Sequence, residues 1–241
     1  MRATLTTIAA RLSALAYLDD LGRLQATLRD LGLSYLAWHR TDDDIEFLIV
    51  RDHHTGLIIV AIRGTETTSW RDILTDVRAL RRRLIVSGQV LRCHAGGLAA
   101  AHSIAGTIAT RLRNFPFDRI LITGHSLGGL IARILRALLP AHHSHATGGR
   151  AIHCITFGAP RSGCPRFASH LNAADGYDIR VEHPFDPVTY VPGALSAFLP
   201  RRFSRYCHSG QAHTIPSPAR GIAAHKMSLY LSDVLGEEVT R

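Results

Sequence analysis

The sequence predicts an α/β fold: a mixed, mostly parallel central sheet with helices on both faces. Three observations carry this expectation. Through the middle of the chain, short runs rich in isoleucine, leucine and valine alternate with longer segments of helical periodicity, the order of strands joined by helical crossovers. At the front, two apolar runs, IEFLIV (45–50) and LIIVAI (57–62), flank the polar stretch RDHHTG, which reads as a hairpin and adds an antiparallel portion to the sheet. The chain has 241 residues, 46% hydrophobic and 20% charged, an ordinary globular balance with length enough for a substantial core, so one domain over 1–241 is expected.

Taken in order, Leu5, Ile8, Leu12, Leu15, Ala16 and Leu18 follow helical spacing. Arg11 interrupts that apolar stretch, so it reads as the amphipathic first helix of the domain and not as a signal peptide. After the hairpin, strands are expected at 119–123, 151–157 and 179–183, with further short ones near 204–208 and 212–215. Helices are expected at about 68–82, 97–113, 127–139, 165–173 and 219–235. The partly apolar loop from Pro192 to Arg202 should run over the surface near the C-terminal ends of the strands. No repeat or low-complexity linker interrupts the order.

Composition bounds the function classes. No run reaches 18 apolar residues, so no membrane-spanning helix is expected. Without a recognised leader the expected location is cytoplasmic, with non-classical export left open, and free thiols are favoured over disulfides. Cys93, Cys154, Cys164 and Cys207 match no zinc spacing. The tract AHHSHA (141–146) reads as an exposed polar loop before a metal site. A net charge of +9, nearly all arginine, favours anionic partners. The arginines are scattered except for Arg81–Arg83 and Arg201–Arg202, and no nucleic-acid motif with matching aromatics accompanies them. Nucleic acid is not expected as a partner.

The chemistry starts at ITGHSLGG (122–129). Gly124-His125-Ser126-Leu127-Gly128 fits G-x-S-x-G, in which a strand reverses sharply into a helix and leaves a serine in an unfavourable backbone conformation. Side chains two residues either side would clash there, hence the glycines. The context fits, with a β-rich run before and LIARILRALL after. A phosphate loop would need a lysine after its last glycine, and a dinucleotide loop a G-x-G-x-x-G; both are missing. Ser126 is therefore the candidate nucleophile. The backbone N–H of Leu127 is a natural oxyanion donor, and Thr65, closing VAIRGT, is a candidate for a second through its N–H and hydroxyl.

A nucleophilic serine needs a base and an acid. His94, His208, His213 and His225 compete for the first role; His125, beside the serine, is expected to point away as scaffold. Asp175, Asp178 and Asp186 compete for the second. Asp186 follows a strand and precedes Pro187, which puts it on a loop at a strand's C-terminal end, whereas Asp175 sits in a turn-like AADG. The order Ser126, Asp186, His225 is that of α/β-hydrolases.

The remaining motifs sharpen this. AIRGT (61–65) with Trp70 and Asp76 behind it, CHAGG (93–97), ITGHSLGG, TFGAPRSG (156–163), DPVTYVP (186–192), CHSG (207–210) and HKMSLYL (225–231) occur in one order. In these the chain resembles the class 3 lipases, the family of fungal-type triacylglycerol lipases and their relatives, over roughly residues 60 to 231. The resemblance implies an α/β-hydrolase fold and a serine hydrolase of lipid esters, acylglycerol or phospholipid. It implies Ser126 as nucleophile, Asp186 as acid, His225 as base, Thr65 with Leu127 as the oxyanion hole, and a lid at about 66–83. No cofactor or metal is called for. Ile73, Leu74, Val77 and Leu80 of that lid, with Arg81–Arg83 beside them, would suit transient contact with an anionic membrane surface. Two positions depart from the family pattern: Gly97 stands where an aromatic is usual, and Thr189 where proline is common. Trp70 and Asp76 read as packing and pinning residues. A non-catalytic lipid-binding protein on the same fold and a toxin-like phospholipase effector remain alternative readings.

Overall fold

The computed structural model describes residues 4–64, 80–115, 117–142, 151–193 and 206–239. Its sheet has seven strands: β1 (Ser34–Arg40), β2 (Glu46–Asp52), β3 (Leu57–Ile62), β6 (Arg119–His125), β7 (Ile152–Phe157), β8 (Asp178–Glu182) and β9 (Gln211–Thr214), in that spatial order. The first two pairings are antiparallel and the other four parallel. The predicted fold class holds, an α/β-hydrolase sheet with an antiparallel edge grafted on a parallel centre.

Period-two alternation divides the core. Ile58, Val60, Ile62, Ile120 and Ile122 face one side, where α3 (Ala95–Arg113) and α4 (Leu127–His142) cover them. Leu57, Ile59, Ala61, Leu121, Ile155 and Phe157 face the other, under α1 (Leu5–Leu15), α2 (Leu21–Asp30) and α6 (Met227–Val239). A short helix α5 (Pro165–Asn172) follows β7. Strands β3, β6 and β7 end level with one another: Ile62 lies beside Gly124 and His125 beside Phe157. That shared C-terminal edge carries the site.

Several expectations are corrected. The helix expected over 68–82 does not extend to its end, and the lid expected at 66–83 does not include its last residues as a helix. Arg81–Val86 form strand β4, paired antiparallel with β5 (Gln89–His94), while the part over 66–79 lies outside the described residues. The physical reason is a two-residue turn: Ser87 and Gly88 both take positive φ, 47° and 75°. Leu84, Val86, Leu91 and Cys93 are buried on one face of this hairpin. Strand β1 was unforeseen because a bulge at Leu36 breaks its alternation. The strand expected at 204–208 does not form over its described part; Cys207 makes only an isolated bridge to Gly163. The last helix is interrupted: a 3-10 turn, Gly221–His225, precedes an extended Lys226 and then α6.

Candidate active site

The turn between β6 and α4 is the strained element the sequence requires. Ser126 has φ 57°, a left-handed value that non-glycine residues rarely adopt. A Cβ on Gly124 would lie 2.6 Å from the Gly128 carbonyl carbon, and one on Gly128 would meet the Ile62 oxygen and the Arg63 carbonyl, so the two glycines let α4 close down on β3 and β6. The Ser126 N–H donates to the Phe157 carbonyl at 3.0 Å, pinning the turn to β7. Leu127 begins α4, where the first N–H groups have no acceptor within the helix.

Ser126, His225 and Asp186 converge on this turn. Ser126 Oγ lies 2.8 Å from His225 Nε2, and His225 Nδ1 lies 2.8 Å from Asp186 Oδ2. All three are buried, Asp186 completely. The carboxylate needs Nδ1 as a donor, which leaves Nε2 to accept from the serine hydroxyl. Asp186 caps a 3-10 turn, Pro187–Tyr190, and takes the Val188 N–H on Oδ1 at 2.9 Å. Its other oxygen also accepts from the Tyr230 hydroxyl at 2.8 Å. Burial, and then the neighbouring Asp186 charge, push the Tyr230 phenol well above its ordinary pKa, so it stays a donor. Thr189, the departure from proline, donates its hydroxyl to the Asp186 carbonyl at 2.9 Å and holds the same turn.

His125 turns away from the serine and supports His225 instead. Its Nε2 donates to the backbone carbonyl of His225 at 2.7 Å, and its Nδ1 accepts from Tyr17 Oη at 2.9 Å. Burial, followed by the charge of His225, holds the His125 pKa well below the usual value, so the ring is neutral. His183 is a second support that sequence reasoning passed over. Its Nδ1 donates to the Ala224 carbonyl at 2.7 Å, its Nε2 lies 3.1 Å from Asp233 Oδ2, and its ring stacks on Tyr230 with centroids 3.8 Å apart. Its backbone N–H donates to Tyr230 Oη at 3.0 Å. The available signals were position alone: His183 sits three residues before Asp186, and Tyr230 five after His225.

The competing candidates are placed elsewhere. Asp178 is committed to Arg133 and Arg136 of α4, at 3.4 and 3.3 Å, and Asp175 is exposed. His94 caps α3 by accepting the Gly97 N–H at 3.1 Å. His208 donates to the Thr189 carbonyl at 2.7 Å, and His213 lies on the far strand β9. Gly97 is accounted for by packing: a Cβ there would collide with Leu130 and lie 2.9 Å from Ile134, so the glycine lets α3 and α4 approach. Thr65, Trp70, Asp76 and most of the expected lid lie outside the described residues, as does the side-chain detail of the histidine tract. Gly64 brings β3 to the site's edge, since a Cβ on it would lie 3.4 Å from Ser126 Cβ. Among the described residues no cluster of histidine, cysteine or carboxylate has the geometry to hold a metal ion.

The model of the family described as Lipase (class 3) matches residues 59–196, more than half of the chain. The chain belongs to the class 3 lipase family. This class 3 lipase relative is 29% identical over 158 residues to the secreted mono- and diacylglycerol lipase 1 of Fusarium solani, covering 63% of this chain and 44% of that one. It is 29% identical over 136 residues to the diacylglycerol lipase-beta of Mus musculus, covering 49% of this chain and 20% of that one. The chain thus spans less than half the length of either relative. Among solved structures, the Rhizomucor miehei lipase propeptide complex superposes with a TM-score of 0.68 at 22% identity, over 88% of this chain and 65% of that one. A triacylglycerol lipase from Penicillium expansum gives 0.67 at 19% identity, over 88% and 78%. These structures establish the shared fold. The expectation of a cytoplasmic location is overturned here: the Fusarium solani relative is a secreted lipase. No helix among the described residues is long and apolar enough to cross a membrane.

Proposed function

We propose that this chain is a serine hydrolase of lipid carboxylic esters, acting through Ser126, His225 and Asp186. The observation that carries the reading is the unbroken relay from Ser126 Oγ through both ring nitrogens of His225 to a fully buried carboxylate, with 2.8 Å at each step. In this reading His225 takes the hydroxyl proton as Ser126 attacks the ester carbonyl. The tetrahedral oxyanion is met by the Leu127 N–H at the positive end of α4, with Thr65 as the second donor. Collapse expels the alcohol, protonated by His225, and leaves an acyl-enzyme that water clears with the same histidine as base. Asp186 holds the ring's tautomer and balances the imidazolium. The relay also favours catalysis over a purely lipid-binding role, because binding alone gives no reason to align a buried Ser-His-Asp set.

Acylglycerols are the favoured substrate class, in line with the mono- and diacylglycerol activities named for the two relatives, and the secreted Fusarium relative supports work outside the cell. Turnover of p-nitrophenyl butyrate by wild type and by Ser126→Ala tests the enzyme reading; the variant should lose about 10⁴-fold or more in kcat. Equal rates would overturn it. A panel of emulsified mono-, di- and triacylglycerols and phospholipids then ranks the substrates.

A further inference from the structure

The β4–β5 hairpin presents a surface that the catalytic geometry does not use. From Val77 to Phe117 the sequence contains no aspartate or glutamate, yet it carries Arg81, Arg82, Arg83 and Arg92 on the hairpin. The register sets Arg83 directly opposite Arg92 and Ile85 directly opposite Val90. Paired residues share a face, and all four of these are exposed, Ile85 at 69% and Val90 at 44%. The other face is committed, because Leu84, Val86, Leu91 and Cys93 are buried in the core.

Like charges directly opposite on neighbouring strands are unfavourable, and among the described residues no carboxylate is paired with Arg82, Arg83 or Arg92. An aliphatic pair beside an uncompensated arginine pair has two preferences at once: a less polar surrounding for Ile85 and Val90, and anions for the guanidinium groups. The interfacial zone of an anionic bilayer meets both. Single-stranded nucleic acid meets only the second, because this face offers no aromatic ring on which a base could stack.

The hairpin's place in the fold relates it to the candidate active site. Strand β5 runs directly into α3, and α3 leads back to the start of β6, so the first turn of α3 lies at the edge of the sheet where Ser126 sits. The base of the hairpin is fixed there: Ala95 N–H donates to the Leu80 carbonyl at 2.8 Å, and Cys93 bridges to Gly163 in the loop that follows β7.

We propose that the outer face of the β4–β5 hairpin docks on anionic lipid bilayers, with Ile85 and Val90 entering the headgroup region and Arg83 and Arg92 binding lipid phosphate. Docking is a property of this face alone; it rests on the hydrolase reading only for its purpose, which is to hold the Ser126 edge near lipid esters. Two aliphatic side chains make a shallow anchor, so the contact is reversible and depends on lipid charge and salt.

The test is vesicle co-sedimentation of the Ser126→Ala protein, which leaves the lipid intact, with phosphatidylcholine vesicles with or without phosphatidylglycerol. Binding should require phosphatidylglycerol and weaken with added salt. Each arginine at an anionic surface contributes about fivefold to partitioning, so Arg83→Gln with Arg92→Gln should lower binding about 25-fold, and the glutamate pair further. Ile85→Ser with Val90→Ser should also weaken it. The same substitutions in the Ser126 protein should leave p-nitrophenyl butyrate turnover unchanged. Equal binding to neutral and anionic vesicles, or wild-type binding by the glutamine pair, overturns the proposal. So does binding of a labelled oligonucleotide that needs these arginines when anionic vesicles are not bound. Charge-dependent vesicle binding by a protein without esterase turnover would sink the hydrolase reading and leave the docking face standing.

Discussion

A single methyl group added at Gly158 should impair the candidate site although Ser126, Asp186 and His225 are themselves unchanged. Gly158 follows β7 with φ 54°, so alanine there carries a left-handed backbone penalty of about 1–2 kcal/mol. Its Cβ would lie 2.7 Å from Asp186 Oδ2, 3.0 Å from Tyr230 Cε2 and 3.1 Å from His225 Nδ1. Ordinary van der Waals separation is about 3.5 Å, so the carboxylate contact falls short by roughly 0.8 Å. None of the three neighbours is a loose chain end, because each is hydrogen-bonded and buried. Relief must come from moving Asp186 or His225 by several tenths of an ångström, and misplacements near 1 Å reduce rates about 100-fold. We expect Gly158→Ala to lower kcat on p-nitrophenyl butyrate about 30- to 100-fold with KM little changed, and to lose about 2–4 kcal/mol of stability from strain and overpacking together. Gly32→Ala is the control: φ is 70° but nothing lies within 4 Å of the added Cβ, so only the backbone penalty should appear, with full activity. A folded Gly158→Ala protein with wild-type kcat would refute the tight seating of Asp186 and His225 against Gly158.

Three further outcomes follow from the same contacts. Tyr230→Phe removes the donor to Asp186 Oδ2 and the acceptor of the His183 N–H; a hydrogen bond to a charged group contributes about 1.5–3 kcal/mol, so kcat should fall about tenfold or more in steady-state assays at unchanged KM. Asp178→Ala strands the Arg133 and Arg136 guanidinium groups in the core and should lose about 3–5 kcal/mol in urea unfolding while the folded protein stays active, since Asp178 lies outside the relay. Acid should destabilise the fold through two histidines held neutral by burial: His125, well below its usual pKa, and His208, pushed down to about 3 by burial and then by Arg133 and Arg180. Both folded values are depressed, so below about pH 6.5 the unfolded chain binds more protons, and stability should fall by about 1.4 kcal/mol per pH unit for each. Above about pH 6.5 this contribution is constant, and a flat profile in urea melts between about pH 7 and 5 would contradict it.

What was legible in the sequence was what is local or ordered along the chain. The turn at Ser126 could be read because strand, glycines and helix sit within a few residues, and the β2–β3 hairpin because its two apolar runs adjoin. Asp186 and His225 could be ranked because chain order and strand ends constrain them. The β4–β5 hairpin was equally local, but three consecutive arginines masked the alternation of Leu84 with Val86 and the Ser87-Gly88 turn. The support around the relay was illegible for a different reason. Tyr17 meets His125 across 108 residues, Tyr230 meets Asp186 across 44, and His183 meets Tyr230 across 47. Nothing in the spacing of a lone tyrosine or histidine marks such a partner.

Those distant contacts change the standing of the N-terminal helix. Ser13 of α1 is hydrogen-bonded to Thr123 of β6 at 2.9 Å, and Thr123 in turn donates to the Ile155 carbonyl of β7 at 2.7 Å. Two residues beyond the end of α1, Tyr17 reaches His125, whose other nitrogen fixes the His225 backbone. Arg63 lies 5.7 Å from the Tyr17 ring centre and joins Asp19 and Glu46 at 2.6 and 2.7 Å, which anchors the end of β3 immediately before Gly64. One short segment therefore braces three things at once: the strand that presents Ser126, the turn that carries His225, and the strand end that leads to Thr65. Helix α1 and Tyr17 after it lie outside the stretch matched by the family model, which begins at residue 59, yet Tyr17 reaches His225 through His125. Removing α1 with Tyr17 should cost the site its geometry and the sheet its core at once, because Ala9, Ala10 and Leu12 are buried against the sheet while Ser13 and Tyr17 supply polar contacts to the Ser126 edge.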